Sequence, residues 1–444
     1  FLRNGGKLGF VITQSVFKTQ GAGDGFRRLR FARDSRTTYL KPLAVADLSA
    51  IQVFEGATNR TAVFVCEKQR ESFQYPVSYG IWRGPSRISQ DVSLAEARSL
   101  VNVLQVAALP VDPEKPNSPW LTAPRHALRG LLKVIGKSDY QAYAGVFTGG
   151  LNGCYWIRIL DRLSNGDLLI ENLHDVGKLK VEHVQTVIEP DLVYPLLRGR
   201  DVKRWHAEPS AHIILAQDPV TRTGIRETVM KVKYPKTYAY LKRFEGDPKK
   251  PERGTLRGRA TSFVRRPIEN GAPFYTMFAV GEYTLAEWKV VWNRIDTRLQ
   301  AVAVGGDTED PPVVPQETHT FVPISAQREA YYFSGALNSS PCDFLVRCYS
   351  TSKGFASAHV LNVLRIPRFC RGDSLHEGLA AVSQDVHVAA PRGDADTVAA
   401  LEAEIDRAAA RIWGITDDEL RAIQDALADM GLNRADAEPE DTEE

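Results

Sequence analysis

The sequence predicts an α/β chain in which the closing strands of a sheet are followed by an α+β domain and C-terminal helices. Three observations predict it. Apolar runs of strand length open the chain at residues 7–13, 43–53 and 60–68, with a helical spacing between the first two. Short strand-like runs then alternate with a Tyr-rich helical stretch through the middle of the chain. Two amphipathic stretches, 398–413 and 417–430, come last.

The run KLGFVIT, Lys7–Thr13, follows the turn Asn4-Gly5-Gly6 and reads as a buried strand. Residues 24–33 place Phe26, Leu29 and Arg30 at helical spacing. The runs at 43–53 and 60–68 read as further strands of a sheet covered on both faces. A helix is expected over 94–104, then a Pro-rich connector over 110–124. Strands are expected at 144–160, 167–172, Trp288–Asn293 and 318–323. Helices are expected over 229–243, interrupted near Pro235, and over 329–348, broken around Asn338-Ser-Ser-Pro341. Gly414 separates the last two helices, and Thr416 before Asp417 and Glu419 is an N-terminal capping arrangement. The acidic residues 433–444 are expected to be disordered. The resulting division is 1–109, a connector 110–143, a second domain 144–393, a helical pair 394–432 and the tail.

With 444 residues, 43% of them hydrophobic, the chain has room for about two or three cores. No run approaches the ~20 apolar residues of a membrane span, so no membrane partner is expected. Phe1 is not an initiator Met and no leader precedes the first strand, which suggests a C-terminal piece of a longer protein. The five cysteines, odd in number and without a C-x-x-C pair, point to a reducing, cytoplasmic setting and away from a zinc knuckle.

A net charge of +2 conceals strong polarity along the chain. Residues 222–266 hold 14 Lys/Arg against 4 Asp/Glu, whereas residues 394–444 hold 16 acids against 4 Arg. The middle suits a polyanion and the tail is repelled by one. Within residues 186–205, Arg198, Arg200, Lys203 and Arg204 lie behind a Pro-containing stretch, with Gly199 allowing close backbone approach and Trp205 offering a flat face. The alternative for this segment is a solvated loop ending in a core Trp.

Other motifs are weighed against plainer roles. Gly21-Ala-Gly23-Asp-Gly25 resembles a dinucleotide or S-adenosylmethionine (SAM) loop, but seven residues separate it from the preceding strand, so a flexible loop is expected. Asn117-Ser-Pro-Trp120 mimics an Asn-Pro-Pro-Tyr tetrapeptide, yet reads as a loop with an anchoring Trp. Glu287-Trp-Lys289 has the form of half a nuclease metal site, but E-x-K is a common triplet and a strand with one exposed acid and one exposed base is expected instead. No G-x-S-x-G occurs, and the nine His show no ligand spacing.

Taken in order, residues 2–15 (LRNGGKLGFVITQS), Phe26-Arg-Arg-Leu29, Val53-Phe-Glu-Gly-Ala-Thr-Asn-Arg-Thr61 and the following AVFVCEK resemble the post-catalytic half of a gamma-class adenine-N6 DNA methyltransferase of type II and type IIG restriction-modification systems. Ala144-Gly-Val-Phe-Thr-Gly149 with Asn152, Tyr194-Pro-Leu-Leu-Arg-Gly-Arg-Asp-Val-Lys-Arg-Trp205, Glu287-Trp-Lys-Val-Val291, Ala336-Leu-Asn-Ser339 and Val360-Leu-Asn-Val-Leu-Arg-Ile-Pro367 resemble the target-recognition domain of the same enzymes. The resemblance covers nearly the whole chain. It implies the end of a Rossmann-like SAM methyltransferase sheet in residues 1–109 and a DNA-specificity domain in 144–393. It further implies double-stranded DNA as partner and a base-flipping reaction. Phe54 would pack against the flipped adenine, the alternative being a ring that plugs the end of the sheet, and Thr148, Asn152, Arg198, Arg200, Lys203 and Arg204 would face DNA.

No catalytic residue is assigned to this chain. The SAM loop and Asn-Pro-Pro-Tyr tetrapeptide, which precede the strand at Lys7 in such enzymes, are not in this sequence. SAM would accordingly be bound by an N-terminal catalytic region outside it. The competing expectation is a non-catalytic DNA-specificity subunit that partners a separate methyltransferase or restriction enzyme. A third takes Gly21 to Gly25 as the cofactor site of some other α/β enzyme.

Overall fold

Seven strands between residues 7 and 123 form one mixed sheet in this computed structural model, which describes residues 2–19, 21, 23–33, 36–54, 59–89, 91–177, 179–296, 298–306, 310–349 and 357–431. The strands are β1 (Lys7–Thr13), β2 (Arg30–Arg33), β3 (Arg36–Asp47), β4 (Thr61–Gln69), β5 (Val77–Arg83), β6 (Asn102–Pro110) and β7 (Trp120–Ala123). Their order is β1-β4-β3-β5-β6-β7, with β2 as a hairpin partner of β3. Only β3 and β5 run parallel, while β4 lies antiparallel between β1 and β3. Short helices α1 (Ser15–Lys18), α2 (Asp24–Arg27) and α3 (Leu94–Ser99) connect them.

One face of this sheet carries its core. Strand periodicity sends Ala62, Phe64 and Cys66 of β4 inward, where Phe64 meets Phe17 and Phe26. Phe17 stacks on Trp120 at 5.1 Å. Burial of a Phe such as Phe17 or Phe64 stabilises by roughly 1.5–3 kcal/mol. The expectation of a sheet covered on both faces is met at β7, where Trp120 packs into this core and Leu121 and Ala123 into another, and is corrected at the opposite end. Strand β1 is an edge, and its Leu8 and Val11 are exposed.

Two further corrections concern residues 94–124. The helix expected over 94–104 ends at Ser99, and Asn102–Pro110 is a strand. The Pro-rich stretch is no simple connector, because Trp120–Ala123 is buried and closes the sheet against β6.

The second region begins with α4 (Leu128–Val134), β8 (Tyr143–Ala144), α5 (Asn152–Tyr155), β9 (Trp156–Arg162), β10 (Leu168–Asn172), β11 (Gln185–Ile188) and β12 (Val193–Leu197). It continues through the hairpin β13 (Val202–Lys203) and β14 (His206–Ala207), β15 (Ala211–Ile214), and the hairpin β16 (Gln217–Asp218) and β17 (Thr223–Gly224). Then come α6 (Glu227–Lys233), α7 (Pro235–Lys242), α8 (Ser262–Glu269), β18 (Trp288–Asn293), β19 (Ala301–Val304), β20 (Val314–Pro315) and β21 (His319–Ile324). A six-stranded sheet has the order β11-β10-β9-β15-β12-β20, and a four-stranded one the order β19-β18-β21-β8. Pro235 ends α6 and opens α7, since a proline lacks the N–H a continuing helix needs but suits a first turn.

The remaining helices are α9 (Gln327–Asn338), α10 (Ser340–Tyr349), α11 (Ser374–Ala389), α12 (Ala395–Ile412) and α13 (Asp417–Gly431). They share one core with β18, β19 and α4 that includes Trp205, Trp292, Leu337, Ile405 and Ile423. The break between α9 and α10 falls at Ser339, and the Asp406 carboxylate of α12 caps the start of α10 through Ser340 N at 2.7 Å. Thr416 and Glu419 form the expected capping box, with Thr416 N donating to Glu419 at 2.9 Å and Glu419 N to Thr416 Oγ1 at 3.3 Å. Helix α11 was not among the sequence expectations. The first sheet is tied to the helices by Lys18, whose Nζ donates to Thr122 Oγ1 at 2.7 Å and to Cys348 O at 2.8 Å; burial lowers its pKa to about 8. No helix among the described residues is long and apolar enough to cross a membrane. The expected disorder of 433–444 lies outside the described residues.

Candidate nucleic-acid interface

Strand β12, held between β15 and β20, delivers the chain into a tight turn at 198–205. Asp201 organises it. Its Oδ2 accepts from Arg198 N at 2.8 Å, Ser210 N at 3.2 Å and Ser210 Oγ at 2.9 Å. The side chain thereby satisfies backbone donors that the turn leaves unpaired. The following hairpin pairs Lys203 with His206, with Trp205 at φ +67°, a conformation that side chains as bulky as indole rarely adopt.

The four cations of this turn divide into two pairs. Arg198 is 4% exposed and lies over the Trp156 ring at 5.4 Å. Arg204 donates to Leu299 O at 3.0 Å and Asn338 O at 2.9 Å, and pairs with Glu402 of α12. Trp205 Nε1 donates to the same Glu402 oxygen at 2.6 Å. Burial pushes the Glu402 carboxyl pKa up, but the Arg204 charge and the bonds from Arg204 and Trp205 outweigh it and hold the carboxyl below its ordinary range. Arg200 and Lys203, by contrast, are exposed.

Thr148 and Asn152 belong to a second element, a glycine turn before α5. Thr148 is fully buried, with Oγ1 donating to Asn152 Oδ1 at 2.6 Å. Its carbonyl accepts from Arg259 Nη1 at 2.8 Å. Arg259 also bonds Leu256 O at 2.8 Å and Phe274 O at 2.6 Å, so one buried guanidinium clamps three segments. The glycine turn and the 198–205 turn meet through Trp156, which follows α5 directly and carries Arg198 on its ring.

The expectation that Thr148, Arg198 and Arg204 face DNA is therefore corrected. Thr148 and Arg204 are hydrogen-bonded internally and Arg198 lies buried over Trp156, so in this structure the three hold the turns in place; Arg200 and Lys203 are at the surface. Asn152 is half-buried. Phe54 is 44% exposed and follows β3 of the first sheet. Residues 55–58 of its motif lie outside the described residues.

Sequence reasoning missed Arg259, which is hidden in a run of other cations. It also gave no role to Asn338, although that residue stands within one of its motifs. Asn338 is 1% exposed and exchanges bonds with Ala301 N and O at 2.8 and 2.7 Å while its main-chain carbonyl receives Arg204.

The other motifs resolve as packing. A Cβ at Gly23 would lie 2.2 Å from Arg27 Nη1 and 2.3 Å from Val16 O, so the glycine turn is filled from within by Arg27. Arg27 in turn bonds Asn117 O at 2.9 Å, and Trp120 is the buried anchor of that stretch. Lys289, expected to be exposed, is buried, and burial lowers its pKa to about 7; Glu287 is exposed. Among the described residues, no group of three or more His, Cys, Asp or Glu side chains is placed to hold a metal ion.

No protein-family model and no curated protein matches the chain. Similar solved structures include the following two. The type IIL restriction-modification enzyme MmeI, solved in complex with DNA, matches at 10% identity and a TM-score of 0.48 over 97% of this chain and 50% of its own. The type IIG restriction endonuclease BpuSI matches at 11% identity and a TM-score of 0.29 over 92% of this chain and 47% of its own. The chain thus spans about half the length of the solved structures it matches.

Proposed function

We propose that this chain is the DNA-recognition part of a SAM-dependent adenine-N6 DNA methyltransferase of a restriction-modification system. The observation that carries the reading is the division of cations at 198–205. Arg198 is buried over Trp156 and half-buried Arg204 is paired with Glu402, and the turn they fix carries Arg200 and Lys203 at the surface. Such preorganisation favours phosphate contacts, because the backbone that carries the cations is set before DNA arrives. The order of the methyltransferase-like motifs along the sequence supports the finer assignment to adenine-N6 transfer.

The described residues do not fit SAM. The one glycine-rich turn with a cofactor-like pattern, Gly21 to Gly25, is occupied by Arg27 and opens a helix of only four residues. The methyl donor and the tetrapeptide that holds the target amine would belong to polypeptide outside these residues. That misfit also favours the second reading, a DNA-specificity subunit that acts with a separate catalytic partner.

The test is binding of the chain to random-sequence duplex DNA across a salt series, with selection and sequencing of what is retained. Enrichment of one short adenine-containing site is expected. Absence of binding at low salt would remove the DNA reading.

Phe54 is proposed to stack on the extruded adenine, a contact that a ring face can offer to a base that has lost its neighbours. With 2-aminopurine at the selected target, Phe54→Ala should lower the fluorescence rise that accompanies extrusion while duplex affinity stays within about twofold, as expected of a group that touches only the flipped base. Equal fluorescence from variant and parent would assign Phe54 to packing.

A further inference from the structure

The basic stretch 222–266 and the turn that follows it bring two large aromatic rings to the surface together. Phe263 of α8 is 58% exposed and Phe278 is 42% exposed, yet their rings stack on each other with centroids 4.8 Å apart and planes at 26°. Buried, each would contribute a substantial hydrophobic term; two such rings left in water as a pair form an apolar patch that invites a partner.

The surroundings fix that patch rigidly. Phe278 exchanges both backbone bonds with Phe147, each at 3.0 Å, and is flanked by buried Met277 and Val280. Ala279 completes the turn at φ +59°, a left-handed conformation that disfavours alanine by roughly 1 kcal/mol and that the packing on either side enforces. Val264, next to Phe263, is fully buried and lies 3.3 Å from where a Cβ of Gly149 would stand. Arg259 locks the same region through Thr148 O and Phe274 O. The aromatic pair is thus built onto the glycine turn at 148–150, where Gly150 is exposed and a side chain would meet open space.

The charge around it selects the partner. Arg266 lies one helical turn beyond Phe263, on the same face of α8, and is exposed. Arg265 is exposed as well, with Glu269 at 3.4 Å. Stacked rings beside solvent-facing guanidinium groups match a nucleic acid, whose bases offer π-faces and whose phosphates offer anions.

We propose that Phe263 and Phe278 form a second DNA-contacting element, separate from the turn at 198–205. It is an aromatic wedge that stacks on a base at an unstacked step, while Arg266 meets the adjoining phosphate. The inference rests on the DNA-binding reading of the chain.

The experiment compares a fully paired duplex with the same duplex carrying a single bulged adenine. The parent should bind the bulged duplex about five- to hundredfold more tightly, the range expected for one stacked base. Phe263→Ala with Phe278→Ala should abolish that preference and leave the salt slope on paired DNA unchanged. Phe263→Leu with Phe278→Leu keeps an apolar surface without a ring, and should lose the preference as well. Thermal unfolding of each variant alongside the parent establishes that they fold.

Binding by the parent without a preference for the bulge, or a preference retained in both variants, overturns this inference alone. Failure of the parent to bind either duplex at low salt overturns the DNA reading and the inference with it. Concentration-dependent self-association of the parent, lost in the variants, would make the patch a contact between copies and also overturn the inference.

Discussion

Arg200→Ala combined with Lys203→Ala lowers the affinity of the chain for duplex DNA by about ten- to hundredfold at low salt, or ~1.4–2.8 kcal/mol. Both side chains are exposed on a turn whose backbone is set by Asp201, and thermal unfolding of the variant beside the parent separates lost charge from lost fold. If each neutralises one phosphate, the plot of log affinity against log salt flattens by about 0.9 for each cation removed, or ~1.8 for the pair. Titrations at several salt concentrations read both numbers. A slope equal to that of the parent would mean that the two cations do not meet phosphates, whatever happens to the affinity.

Trp205→Ala is expected to lower stability by about 3–5 kcal/mol, the range for removing a buried aromatic ring. Two effects compete at this position. The indole is 2% exposed in the core shared with Trp292 and Leu337, and its removal leaves a cavity. Against that, the residue sits at φ +67°, a conformation worth roughly 1–3 kcal/mol of strain. Alanine retains its Cβ and relieves little of that strain, so the cavity decides the sign. The Glu402 oxygen also loses the donor that reaches it at 2.6 Å. The midpoint of urea unfolding, followed by circular dichroism, measures the change. A loss below about 1 kcal/mol would show that the ring is not an anchor of the turn.

Much of the local structure was legible. Trp288–Asn293 is the strand its apolar run implies, and the helix break at 338–341 and the interruption at Pro235 fall where the residues place them. These features are decided by neighbours in sequence. Strands β6 and β7 were missed because pairing partners decide them: a Pro-rich stretch becomes a strand only when Ala107 and Ala108 lie opposite Ala123 and Thr122.

The candidate site shows the same limit more sharply. Charge marks Arg198, Arg200, Lys203 and Arg204 alike, but which of them is held inside the fold depends on Trp156, Asn338 and Glu402, which no local pattern brings to mind. Thr148 had the polarity of a surface reader and is fully buried, its hydroxyl satisfied by a hydrogen bond to Asn152 Oδ1. Nor does the sequence reveal that Phe263 and Phe278, fifteen positions apart, would leave the core together.

Glu402 lies 197 residues beyond Trp205 and nonetheless fixes the direction in which the turn presents its side chains. The turn is therefore not a portable cassette. Transplanting residues 193–207 into another scaffold would carry the groups that meet solvent and leave behind the carboxylate and the Asn338 amide that aim them. A graft that keeps the geometry of the turn has to move the acidic helix with it, or find an equivalent acid in the recipient.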